Sequence, residues 1–268
     1  MAQPRVLTAE MRLNETFDTV AELYDRARPR YPAALFDDLA VLTGAAPGTR
    51  VLEIAPGTGI ATVELARRGF RVTAVEMGEQ LAAVARRNVQ AFSDATVEVS
   101  RFEDWPIPSG EFDLVCCATA FSWLDPGTRM HRCAAALRPG GHLAIWDTHH
   151  VAGGTGQFFV DVQSCYEHWD PATEPGIRLE RAEDVVPRTY GLESHPSFDL
   201  VAIRDYQFDV RYTTASYLDV LHTYSGHIAL PAASAEGLYD CIRSLLDGRY
   251  GGKIEKRYLV QLVLARRR

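Results

Sequence analysis

RVLEIAPGTGIATVELARRGFRVTAVE, residues 50–76, is the stretch whose reading decides the fold. It opens with a short apolar run, Arg50–Ala55. A Pro-Gly-Thr-Gly turn follows, with glycines at Gly57 and Gly59. Residues 60–68 return to helical spacing and close at Gly69. Arg71–Glu76 is a second short apolar run, and it ends on an acid. A strand, a glycine loop, a helix and a second strand in this order predict parallel strands joined by a crossover helix. Glycine lets the backbone come close to a ligand and take angles other residues avoid. The N–H groups that open the following helix favour a polar or anionic group. Glu76 stands seventeen residues past Gly59, at a strand end, where a carboxylate can accept from both hydroxyls of a ribose. Loop and acid together describe a nucleoside site at the carboxyl edge of a parallel sheet.

Outward from this stretch the rhythm persists. Helical spacing is expected before it, from about Phe17 until Pro29 and Pro32 interrupt, and again over 33–42 up to Gly44. After it come a helix over 79–91, strands over 96–100 and 112–117, a helix over 126–137 and a strand over 142–147. The Gly-Gly pair at 140–141 is expected to turn the chain before that strand. The strands are apolar on both faces, as in a parallel sheet covered by helices. Residues 151–200 break the alternation. Their glycines, prolines and aromatics (Phe158, Phe159, Tyr166, Trp169, Tyr190) predict a helical, loop-rich insertion. A strand over 200–212, helices over 214–223 and 233–246, and a last strand over 256–265 complete the reading. Residues 1–15 are expected to be a loose arm.

Composition excludes several classes. The 268 residues are 47% hydrophobic and 24% charged, which is ordinary globular usage and not that of a disordered chain. The net charge is −7, so no basic footprint for nucleic acid is present. The dense basic run Arg266–Arg268 is expected to be solvated. No stretch is apolar and long enough to be expected to span a membrane, and the opening residues are not expected to be a secretory leader. The five cysteines are odd in number and contain no CxxC pair, so neither a disulfide framework nor a zinc site is expected. Reduced thiols and a cytoplasmic location follow as expectations, with no metal.

The glycine loop does not suit every nucleotide. A nicotinamide fingerprint would carry a third glycine where Thr62 stands, and a P-loop would carry a lysine. VLEIAPGTG, TAVEMGEQL, SRFEDWPIPSGEFDLVCCATAFSWLD and LRPGGHLAIW together resemble the class I methyltransferases that use S-adenosylmethionine. The similarity runs from about Phe17 to the end, nearest to small-molecule enzymes of the trans-aconitate methyltransferase-like kind. It implies an α/β, Rossmann-like, seven-stranded, mostly parallel sheet with an antiparallel last strand and a helical cap. It implies an N-terminal arm and lid over 1–45, a cofactor-binding core over 46–150, a cap insertion over 151–200 and the rest of the core sheet over 201–268.

The resemblance also assigns roles. Gly57, Thr58 and Gly59 would line S-adenosylmethionine, with Ala55 where many members have glycine. Glu53 would orient the loop or meet the amino group through water. Glu76 would hold the ribose and Met77 would lie on the adenine face. Phe102 and Glu103 would read the adenine edge, and Ala118 and Thr119 would stand beside the methylthio group. Tyr24 would touch the methionyl carboxylate, and Arg28 would pair with an anionic group. On the acceptor side the candidates are Ser122, His149, Tyr24, Tyr224 and His227, with His150 beside His149. Relatives often carry histidine where Ser122 stands, and serine is no base without an activator. The expected activity is methyl transfer to a small-molecule acceptor at O, N or C by a monomer or homodimer. Three alternatives stay open: action on a macromolecule, a non-methylating enzyme that keeps the sulfonium as a structural or electrostatic aid, and a degenerate cofactor-binding or interaction protein, against which Gly57, Gly59 and Glu76 weigh.

Overall fold

A computed structural model describes residues 15–268. The loose arm expected over 1–15 therefore lies outside the described residues, Glu15 excepted. Seven strands form one sheet: β1 Arg50–Ile54, β2 Arg71–Glu76, β3 Ala95–Val99, β4 Phe112–Ala118, β5 Leu137–His150, β6 Phe198–Thr213 and β7 Lys253–Arg267. Their order is β3-β2-β1-β4-β5-β7-β6, six strands running parallel and the last antiparallel. Registers such as Val51 with Val72 and Val51 with Leu114 place β1 at the centre. All its residues after Arg50 are buried, which is why the sequence there is an unbroken apolar run apart from Glu53.

The chain divides into two units. The larger comprises 30–149, 186–206 and 260–268. Its core packs Leu52, Ile54, Val115, Cys117, Phe121, Leu143, Ile145 and Val263 against the helix Arg129–Ala136 and against Leu192 and Phe198. The helix Ala33–Thr43 follows Pro32 and ends on Gly44 in the left-handed region (φ 69°), as a glycine cap does. It buries Phe36 edge-on to Trp146, with ring centroids 6.0 Å apart.

The smaller unit comprises residues up to 29 together with 150–185 and 207–259. Here Phe158, Tyr217, Leu221, Leu238, Ile242 and Tyr258 form a second core. The insertion does carry helices, Gly156–Asp161 and Gln163–Trp169, and its aromatics Phe158 and Phe159 are buried in that core.

Three expectations are corrected. The Arg138-Pro-Gly-Gly141 segment is not a turn ahead of β5. It lies within the strand, and the pairing with β4 shifts register between Phe112 and Leu114, so the glycines serve an irregularity in the strand. The C-terminal arginines are not merely solvated. Arg266 donates to the Gly140 carbonyl, Arg267 to the Leu137 carbonyl, and Arg268 pairs with Asp199. Third, the thiols are not all reduced. Cys165 and Cys241 form a disulfide across a sequence separation of 76 residues, tying Gln163–Trp169 to the helix Ala232–Arg249. Cysteine spacing could not signal this pair, because only tertiary packing brings the two helices together. Cys116, Cys117 and Cys133 are free and buried.

For a loop of this length the entropy of the unfolded chain makes the bridge worth about 4–5 kcal/mol at most. Cys241→Ala is expected to lower the melting temperature, and added reductant to lower that of the wild type but not of the variant. Scanning calorimetry with and without reductant checks this.

Candidate functional site

The site grows from the turn after β1. Ala55, Gly57 and Gly59 all take positive φ (52°, 60° and 82°). For alanine that region is strained, and such strain persists only where surroundings over-determine it. The Ala55 N–H donates to the Val75 carbonyl at 2.9 Å. The Gly57 N–H donates to Glu76 Oε2 and the Gly78 N–H to Glu76 Oε1, each at 2.9 Å. One carboxylate thus ties the loop after β1 to the loop after β2. Asn88 Nδ2 donates to the Thr58 carbonyl at 2.9 Å. A Cβ added at Gly59 would meet Ala85 at 3.4 Å, so the small residue suits the close approach of the helix Glu79–Val89.

Behind the loop lies an unusual charge. Glu53 is wholly buried, and neither of its carboxylate oxygens has a hydrogen-bond partner. The hydroxyls of Thr58 and Thr62 are likewise buried and unpartnered. Burial, above all, pushes the Glu53 carboxyl up to about 7; the Thr62 hydroxyl, close by but short of hydrogen-bond geometry, opposes this and the Glu76 carboxylate adds to it. Buried polar atoms without partners at a glycine turn are what a cradle for a polar ligand leaves when described without it. An ammonium group beside Glu53 would restore its charge.

The next residues line the carboxyl ends of β2, β3 and β4. Met77 is half-buried. Phe102 is buried, and its carbonyl accepts from Arg132 Nε and Nη2 at 3.0 and 2.7 Å. Glu103 Oε1 accepts from the Asp125 N–H at 3.0 Å, so one of its oxygens is already engaged. Thr119, after Ala118, has φ 57°. Its N–H donates to the Trp146 carbonyl at 2.7 Å, and its hydroxyl lies 3.2 Å from the Tyr31 hydroxyl and 3.4 Å from that of Thr148. Ser122 is exposed in the short 3-10 turn Phe121–Trp123, and His149 is half-buried near the end of β5.

Sequence reasoning missed Asp147 here, and named Tyr190 only among the aromatics of the insertion. Tyr190 donates to Asp147 Oδ2 at 2.7 Å and sets its ring 5.0 Å from Phe121. Burial, with the Asp147 carboxylate, pushes the Tyr190 phenol up. Asp147 is an acid near the end of a strand, the very signal that singled out Glu76. Tyr190 had no local signal, because it stands far along the chain.

Tyr24, Tyr224 and His227 lie in the smaller unit. His227 Nε2 is 3.3 Å from the Tyr166 hydroxyl. Burial, with the Lys256 charge, pushes the His227 imidazole down to about 4, so it is neutral near pH 7. Tyr224 stacks tilted on His150, its hydroxyl 3.3 Å from Nε2. Among the described residues no group of acids, histidines or cysteines is arranged to hold a metal ion. None of their helices is long and apolar enough to cross a membrane.

Comparison with known proteins agrees with this fold. Residues 51–141 match the family described as methyltransferase domain. An uncharacterized methyltransferase of Mycobacterium tuberculosis is 33% identical over 134 residues, half of this chain and 52% of its own length. A ubiquinone biosynthesis O-methyltransferase of Alkalilimnicola ehrlichii is 32% identical over 114 residues, 40% of this chain and 44% of its own length. The chain thus spans about half the length of the curated relatives it matches. Among solved structures, a candidate type II methyltransferase from Anaeromyxobacter dehalogenans superposes with a TM-score of 0.60 at 23% identity, covering 89% of this chain and 97% of that one. The cyclase SpnF superposes with a TM-score of 0.57 at 15% identity and 97% coverage of both chains. The seven-stranded sheet with its flanking helices has the Rossmann-like methyltransferase fold. Over residues 51–141 the chain is similar to a methyltransferase domain.

The titration of Glu53 has a sign. Its folded value lies above the ordinary 4.5, so the folded state holds the extra proton. The stability linked to that proton is full below about 4.5 and is lost as pH rises through about 7, a difference of roughly 3 kcal/mol. Glu53→Gln is therefore expected to melt higher than wild type at pH 8 without ligand, and level with it near pH 4.5. Thermal unfolding across this range checks it.

Proposed function

We propose that the chain transfers a methyl group from S-adenosylmethionine to a small-molecule acceptor at O, N or C, releasing S-adenosylhomocysteine. The Glu76 carboxylate clamp supports this most directly, because it presents an acid at the lip of a left-handed glycine turn. The orphaned Glu53 carboxyl and Thr58 hydroxyl behind that turn fit a ligand bearing both a cation and hydroxyls.

On this reading Gly57, Thr58 and Gly59 offer backbone to the ligand, and Ala55 shapes the turn. Glu53 meets the amino group and Glu76 accepts from the ribose hydroxyls. Met77 covers the adenine face, while Phe102 and Glu103 read its edge. Ala118 and Thr119 flank the sulfur. When bound, the cofactor supplies an electrophilic methyl group on a sulfonium with a neutral leaving group. The protein's main task is then to hold the acceptor in line, and positioning alone supplies a large part of the rate. His149 is the proposed base where the acceptor must lose a proton. Ser122, Tyr24, Tyr224 and His227 are kept as further acceptor-side groups. The net charge of −7 and the small-molecule biosynthesis named for one relative favour a small acceptor over nucleic acid.

Calorimetric titration with S-adenosylhomocysteine, with NAD as control, tests the cofactor. Binding of the former alone is expected, and Glu76→Ala is expected to weaken it by about 1–3 kcal/mol, as loss of a charged hydrogen-bond partner does. Binding of NAD instead, or unchanged affinity in the variant, overturns the assignment. Incubation with methyl-labelled donor and a small-molecule extract, tRNA or bulk protein then locates the acceptor. Cofactor binding with no label on any of them would favour the non-methylating alternative.

A further inference from the structure

Asp147 is a half-buried acid near the end of β5, in the larger unit. Its Oδ2 accepts from the Tyr190 hydroxyl at 2.7 Å, and its Oδ1 takes no hydrogen bond among the described residues. No lysine or arginine stands within ion-pair distance of it among those residues, although other acids of the unit do find one. Asp113 meets Arg50 and Arg138, Glu64 meets Arg67 and Arg68, and Asp37 meets Arg68. A carboxylate drawn out of water without a counter-charge is costly.

Both neighbours of this carboxylate are fixed. Tyr190 has φ 56°, a strained value for a bulky residue. Such strain persists where the surroundings hold it. Here they are the bond to Asp147, the Phe121 ring at 5.0 Å and the Arg129 guanidinium, whose carbon lies 5.1 Å from the Tyr190 centroid and 4.9 Å from that of Phe121. The strand fixes the other side. Trp146 and Thr148, which flank Asp147, both meet Thr119. The Trp146 carbonyl accepts from the Thr119 N–H at 2.7 Å, and the Thr148 hydroxyl lies 3.4 Å from that of Thr119. Successive side chains leave a strand on opposite faces, so Asp147 projects on the face that Trp146 and Thr148 do not. An uncompensated charge is thus anchored one residue from two contacts with Thr119, at the carboxyl ends of β4 and β5.

We infer that Asp147 is the counter-charge to the sulfonium and makes the protein hold S-adenosylmethionine in preference to S-adenosylhomocysteine, with Tyr190 as its positioning residue. This rests on the methyl-transfer reading, in which Ala118 and Thr119 flank the sulfur. When the methyl group leaves, the sulfur–carbon bond breaks, its electron pair stays on sulfur and the positive charge is gone. A carboxylate near that atom attracts the donor and has no such hold on the product. Glu53 and Glu76 cannot make the distinction, because the amino group and the ribose assigned to them are the same in both nucleosides. Opposite unit charges in a half-buried setting are worth about a threefold to tenfold change in affinity. The spent nucleoside is then displaced by fresh donor.

Titration calorimetry of the full chain, with no acceptor present, tests this. S-adenosylmethionine and S-adenosylhomocysteine are titrated separately into the wild type, Asp147→Asn, Asp147→Glu and Tyr190→Phe, and the ratio of the two dissociation constants is read. Asp147→Asn keeps an oxygen for the Tyr190 hydroxyl and removes the charge. It is expected to move the ratio about threefold to tenfold toward S-adenosylhomocysteine by weakening the donor, while the affinity for the product stays within about twofold. Asp147→Glu keeps the charge and is expected to hold the ratio within about twofold. Tyr190→Phe frees the carboxylate and is expected to retain only part of the preference. If Asp147→Asn fails to fold, Tyr190→Phe carries the test, and an unchanged ratio there overturns the inference. An unchanged ratio in Asp147→Asn, or equal weakening of both nucleosides, overturns it too, since Asp147 then serves the fold alone. So does a shift in Asp147→Glu as large as that in Asp147→Asn. In each of these cases the wild type still binds S-adenosylhomocysteine, and the methyl-transfer reading stands. A wild type that binds neither nucleoside removes that reading and the inference with it.

Discussion

One carboxylate organises the carboxyl edge of the sheet. Glu76 accepts from the backbone N–H groups of Gly57 and Gly78, and so joins the turns that follow the two inner strands. Backbone donors at a buried edge must find acceptors, and here a side chain supplies them. The arrangement needs an acid at the end of β2 and a residue able to hold positive φ at position 57. It also holds the Gly57–Gly59 turn through the protein's own hydrogen bonds. The remaining donors and acceptors of the turn, Thr58 and Glu53 above all, stay without partners.

Much of this was legible in the sequence. Apolar runs that end on Pro-Gly-Thr-Gly or on an acid mark β1 and β2 because both features are local. Burial on two faces leaves a continuous apolar pattern, so β4 was equally clear. What failed to show depends on distant contacts. The Gly140–Gly141 pair reads as a turn by local chemistry, yet pairing with β4 draws it into a strand. Cys165 and Cys241 carry no spacing signal, and only the packing of two helices joins them. Glu103 is expected to read an adenine edge, but the Asp125 N–H has claimed one of its oxygens. Tyr190 reaches Asp147 across 43 residues, and no periodicity announces such a pair.

The two units use polar residues differently. In the larger one, strained or unpartnered groups gather at the ends of β1 and β4: Ala55 and Thr119 with positive φ, Glu53 and Thr58 without partners. Local strain of this kind costs stability and persists where the surroundings hold it. In the smaller one the exceptional groups are cations set among rings, with Lys256 at the centre. A lysine within a mostly apolar strand was visible in KRYLVQLVLA, but its neighbours were not, since Phe159, Tyr217 and Tyr224 come from elsewhere in the chain.

Glu53 has one more consequence. A carboxyl that titrates at about 7 is a proton reservoir within the neutral range. A cation settling beside it must expel the proton into solution. The heat of such an association then includes the ionisation enthalpy of whatever buffer receives the proton. Titrations at pH 6 in phosphate and in an amine buffer would give one affinity and two enthalpies, and the difference between them would count the protons released.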